Sequence, residues 1–112
     1  MMSEQLRAAV RNLLNESASE RTEAAAVLRD LAVDLGGLVP VIAGVLVVSA
    51  LLESEDEPYE QMLFTLGELS VHSSIPLTVL EPLRAIEASR SWEVEYIQDI
   101  FENAEARDES EA

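Results

Sequence analysis

The chain has no cysteine and no lysine, and only one histidine, His72. The first absence removes disulfides and thiolate chemistry, and the second removes the amine nucleophile, because all seven basic residues are arginine. A single imidazole leaves the serines and threonines without a choice of activating base, and they occur mainly where helix caps are needed. Glycine-rich phosphate loops are missing, as is any alternating pattern that reads as a strand. Cations are scarce as well: seven arginines face 22 acids, for a formal net charge of −15 over 112 residues. Such a chain repels nucleic acid and anionic membrane and is drawn quickly to a basic surface.

The acidity is uneven. Residues 1–52 carry a net −2, residues 53–90 a net −6 and residues 91–112 a net −7. The first half ends in LVPVIAGVLVVSALL, Leu38 to Leu52, fifteen residues without a charge. Counted from Leu35 the run reaches eighteen, but Gly36, Gly37 and Pro40 occupy one end, and no Lys or Arg stands close to either side. With Pro40 in a first turn the helical part is too short to span a bilayer. A helix apolar on nearly every side is then expected to be wrapped by its neighbours.

Around that run the spacing predicts helices throughout. Ser3 caps a first helix with Leu6, Ala9, Val10, Leu13 and Leu14 on one stripe. Ser17 and Glu20 form a capping box for a second helix, expected to reach Leu35 and stop at Gly36 and Gly37. ESEDEPYE, with five acids in eight residues, starts a fourth helix, Asp56 as cap and Pro58 in the first turn; Tyr59, Met62, Leu63, Leu66 and Leu69 share its inner face. Thr78 and Glu81 predict a fifth helix over about Val79 to Ala88, with Pro82 in its first turn. Ser91 opens the last helix, whose stripe is Trp92, Tyr96, Ile97, Ile100, Phe101 and Ala104. Trp92 and Tyr96 are read as core before contact residues. One domain over 1–106 with a disordered acidic tail at 107–112 is expected. Met1 to Asn15 carries Glu4, Arg7 and Arg11 where a signal peptide needs an apolar region, so a cytoplasmic protein is expected.

Two segments echo each other. EAAAVLRDLAVD with LVPVIAGVLVV is matched by EQMLFTLGELSVH with IPLTVLEPLRA, and Leu28, Leu31 and Val33 correspond to Leu66, Leu69 and Val71 at a constant offset of 38. This pattern resembles HEAT-type α-helical repeats, in which each helix pair stacks on the next because neither buries its apolar face alone. The fold expected is all-α, five or six antiparallel helices in a HEAT-like stack, with a compact bundle as the alternative. In size, charge and architecture the chain is similar to small acidic helical proteins of the bacterial immunity or antitoxin type.

That resemblance implies a non-enzymatic module that covers a basic cleft of a toxin or nuclease. The acids expected to touch such a partner are Glu53, Glu55, Asp56, Glu57 and Glu60 with Glu93, Glu95, Asp99 and Glu102. A second possibility is a homodimer or complex subunit joined through the Leu38–Leu52 helix. Halophilic adaptation would explain the charge without any partner. No cofactor or metal is expected: Glu68 and His72 stand four apart on one helix, but two ligands without a third make a weak site, and an EF-hand spacing is missing.

Overall fold

The computed structural model describes the backbone of residues 3–111 and the side chains of residues 3–107. Within them the chain is all-α. Six α-helices follow one another: α1 (Glu4–Asn12), α2 (Ala18–Asp30), α3 (Val39–Leu52), α4 (Asp56–His72), α5 (Leu77–Leu80) and α6 (Ser91–Glu111), with short 3-10 turns after α2, before α3 and after α5. The Ser3 and Ser17 hydroxyls accept from the N–H groups of Leu6 and Glu20, so both hydroxyl caps are made, but the Ser17 N–H donates to Asn15 Oδ1 and not to Glu20, which leaves the expected capping box half formed. Gly36 takes the left-handed conformation, φ +54°, that ends the second helical segment. The helix itself stops earlier than expected, at Asp30, and tightens into a 3-10 turn over Ala32–Asp34.

α4 is the member that touches most of the others. It packs along α2 and α6 on its two flanks and against α3 on its inner side. The sequence provides for this: Pro58, Tyr59, Met62, Leu63, Thr65, Leu66, Leu69 and Ser70 are all buried, which covers far more than one stripe. Ala24 and Ala25 on α2 are small enough for α4 to come close, and the buried Thr65 hydroxyl donates to the Ala25 carbonyl at 2.8 Å. Two of the three pairs related by the 38-residue offset behave alike, Leu31 being only partly buried where Leu69 is fully so. Leu28 and Leu66 are both fully buried, while Val33 and Val71 both stand exposed.

α3 corrects the expectation of a helix jacketed on all sides. Val39, Ile42, Ala43, Leu46, Val47 and Ala50 are buried, but Val41, Val48, Leu51 and Leu52 are 44–70 % exposed. Composition alone cannot reveal this, because a helix that is apolar all round gives no sign of which side its neighbours leave open. No described helix is long and apolar enough to cross a membrane.

The segment around Pro82 also differs from expectation. Helix α5 begins at Leu77, directly after Pro76, and gives way at Glu81 to a 3-10 turn through Ala85. Pro82 lacks the N–H that an α-helix continuing from Leu77 would need, so the chain changes to the tighter winding there. At the other end, the backbone of α6 is helical to Glu111. Arg107, placed in the tail by composition, donates to the carbonyls of Ser70 and Val71 at the end of α4, where a cation meets the negative pole of the helix dipole. The side chains of 108–112 lie outside the described residues.

Candidate protein-interaction surface

Of the nine acids expected to meet a partner, the half-buried Glu60 accepts from the Tyr96 hydroxyl, and the other eight fall into three sets. The first is internal. The Glu53 side chain is only 2 % exposed and takes Arg21 Nε at 2.7 Å and Nη2 at 3.0 Å. Arg21 also reaches Glu55 at 2.9 Å, and its Nη1 donates to the carbonyls of Asn15 and Glu16. Glu93 is 1 % exposed. Its Oε2 accepts from the Tyr59 hydroxyl at 2.5 Å, and its Oε1 accepts from the backbone N–H groups of Ser89 and Arg90 at 3.1 and 3.2 Å. Reaching back to those N–H groups from the first turn of α6 is the acidic half of a capping box. Neither carboxylate presents a face to a partner.

Burial by itself pushes Glu93 and Glu53 up. For Glu93 the hydrogen bonds from Tyr59, from Ser89 and Arg90 N–H and from the Arg90 guanidinium outweigh that, and the net direction is below the ordinary 4.5. Glu53 also falls below it, through Arg21 and the backbone N–H groups of Glu55 and Ser54. The same environment raises the Tyr59 hydroxyl, through burial first and the bond to Glu93 second.

Glu55 and Asp56 form the second set, exposed but already paired. Asp56 binds Arg90, whose Nε lies 2.6 Å from Oδ1, and the Arg90 guanidinium lies 4.9 Å from the Tyr59 ring centre and 5.7 Å from that of Trp92. The turn joining α3 to α4 is therefore held from both sides, by Arg21 of α2 and by Arg90 at the start of α6. Trp92 is half-buried and packs on the core between Tyr59 and Tyr96.

The third set remains open. Among the described residues Glu57, Glu95 and Asp99 have no ion-pair partner, and Glu102 accepts only a Gln98 amide at 3.2 Å. Glu95, Asp99 and Glu102 are exposed at four- and three-residue intervals along α6 and so share one side of it. Glu57 and Asp99 belong to two adjoining hollows along the outer side of α4, about 310 and 160 Å³, which meet at Phe64 and Tyr96. The Phe64 and Tyr96 rings stand edge to face, 6.4 Å apart, and the Tyr96 hydroxyl donates to Glu60 at 3.3 Å. Burial, followed by the charge of Glu60, raises that hydroxyl. Arg29 from α2 lies 5.6 Å from the Phe64 ring centre, so a guanidinium already rests on this aromatic wall.

The outcome is a groove with an apolar and aromatic floor and carboxylates along its margins. No family model, curated protein or solved structure matches this chain. Sequence reasoning found the acids of the groove but missed Phe64, Gly67 and Val71, which lie off the buried face of α4. A signal for them was there, since 57, 60, 64, 67 and 71 recur at helical spacing on the side opposite the leucines. Glu68 and His72 also stand on this outer side, 3.7 Å apart and each about two-fifths exposed. No group of three metal-binding side chains occurs among the described residues.

Proposed function

We propose that this protein is a non-enzymatic binding module that takes a basic partner protein onto the face formed by α4 and α6. The observation that carries this reading is the placement of the unpaired carboxylates Glu57 and Asp99 in the Phe64–Tyr96 groove, with Glu60 and Glu68 also on its lining. Arginine or lysine side chains on a partner would find carboxylates at the margins and, beside the Arg29 that already lies over Phe64, the Tyr96 ring on the floor, a combination that favours fast, salt-sensitive encounter followed by local desolvation. The more specific form is an inhibitor of the immunity type, covering the cationic cleft of a toxin or nuclease. Size, charge and helical architecture support it. In that role the acidic face stands in for a nucleic-acid backbone, and heparin, a polyanion, competes with it for the partner.

The test uses an arginine-rich amphipathic helical peptide, labelled and followed by fluorescence anisotropy. Binding is expected to weaken about tenfold or more between roughly 50 and 300 mM NaCl as screening shortens the reach of the surface charges. Replacing Glu57, Glu68 and Asp99, which line the groove, together by Lys is expected to abolish it. An equal change of net charge at Glu16, Glu23 and Asp34, away from the groove, leaves binding within about threefold if the local surface is what the peptide reads. Equal losses in the two variants would reduce the interaction to net charge and overturn the assigned face.

A further inference from the structure

Helix α3 carries no ionisable residue in a molecule of net charge −15, yet it is open along one side. Val41, Val45, Val48 and Leu52 recur at intervals of four, three and four, the seam of a packed helix pair. Val41 and Val48 are 56 and 55 % exposed and Leu52 is 70 % exposed, while Val45 between them is half-buried against its own core. Leu14, 67 % exposed, extends the patch, since it lines a hollow together with Leu52. No residue of α3 lines the acidic groove.

We infer that this seam binds a second copy of the chain, with the two α3 helices antiparallel about a twofold axis between Val45 and Val48. Charge selects the occupant. A basic partner gains nothing from a surface with no carboxylate, whereas another α3 brings an equally neutral stripe of the same spacing, which a twofold contact makes self-complementary. The ends of the seam are also quiet. Glu53, next after Leu52, is neutralised by Arg21 inside its own chain, and the antiparallel arrangement sets opposite poles of the two helix dipoles side by side. Val41 of one copy then faces Leu52 of the other.

The exposed valines and leucines offer on the order of 500 Å² per copy, so a pair removes roughly 1,000 Å², the lower bound for a specific interface. A dissociation constant on the order of 10 µM is the expected consequence. Salt gives this contact its signature. The two acidic bodies repel one another outside the seam, so added salt strengthens the pair, the reverse of its effect on a basic partner.

Sedimentation velocity of the full chain over about 5–500 µM, at roughly 50 and 500 mM NaCl, tests the inference. A species of twice 12.3 kDa is expected, more populated at high salt, and the Val48→Glu chain is expected to stay monomeric with an unchanged circular dichroism spectrum. Because the chain has no cysteine, a mixture of Val45→Cys and Val48→Cys chains, whose thiols face each other in this register, gives a second readout: mild oxidation is expected to cross-link the two into a dimer several times faster than Glu87→Cys chains. A monomer at all concentrations in both salts, association that salt weakens, a Val48→Glu chain that pairs like its parent, or cross-linking of the Val45→Cys and Val48→Cys mixture no faster than that of Glu87→Cys would each overturn it. Peptide binding on the acidic groove is read separately, and either result stands without the other.

Discussion

Glu93 shows how one side chain can lie in a charged pattern and serve the core. It holds the hydroxyl of Tyr59 on one oxygen and two backbone N–H groups on the other, so both oxygens act as acceptors. An amide has only one acceptor, and in Glu93→Gln the NH2 group must face either the hydroxyl or the N–H pair. That variant is expected to lose about 1–3 kcal/mol at pH 7. Because the folded carboxylate titrates below the ordinary 4.5, its stabilisation is complete above that value and fades as pH falls through the folded value. Urea unfolding at pH 7 should separate the two chains clearly, and the gap should narrow as pH falls below 4.5 and through the folded value. A gap that persists in acid would assign the loss to packing instead of charge. The internal role was legible in principle, because 93, 97, 100 and 104 form one core stripe at helical spacing. Glu53 follows Leu46 and Ala50 in the same way. Acid content masked both, since a carboxylate in a cluster reads as solvated until its donors are known.

Among the elements, α4 sets the arrangement and α3 is fitted against one side of it. Both were expected as helices, and both start where their prolines place them, but Asp56 is the first residue of α4 and binds Arg90 instead of capping the helix as expected. Their ranks are reversed. Burial on a helix depends on how many neighbours it has, and the mixed helix α4 has three, whereas the wholly apolar α3 leaves a strip uncovered. Leu66, fully buried at the centre of α4, tests this order. Leu66→Ala is expected to cost about 3 kcal/mol, whereas Val48→Ala on the open side of α3 should cost under about 0.5 kcal/mol when the chain is kept dilute. Chemical denaturation of the two variants checks the pair, and similar losses would mean that α3 is closed over on every side. The change of winding at Pro82 was harder to read: a capping box and a proline both mark a helix start, and only the packing of Leu80 and Leu83, each nearly fully buried, fixes the segment before and after it.

For the whole molecule, a charge of −15 on a body of radius of gyration 13.1 Å stores repulsion that ions relieve. In the Val48→Glu chain, which keeps self-association out of the measurement, the thermal midpoint should rise by roughly 5 °C between about 10 and 500 mM NaCl. A chain adapted to brine would instead lose its helical signal at the low end, and a midpoint that falls with salt would show that its ion pairs outweigh its repulsion. The sequence by itself determined the all-α class, the main helix boundaries within a few residues, and the excess of acid in the second half, because each of these follows from local spacing, caps and composition. Only the tertiary structure decided which carboxylates are free. Arg21 and Arg90 come from distant parts of the chain to claim Glu53, Glu55 and Asp56, and Tyr59 reaches Glu93 in the same way; such long-range pairing leaves no periodic trace. The same holds for the two surfaces that remain, the carboxylate-edged groove on α4 and the bare strip on α3. Each is defined by what fails to pack over it, and that depends on where the other helices come to rest.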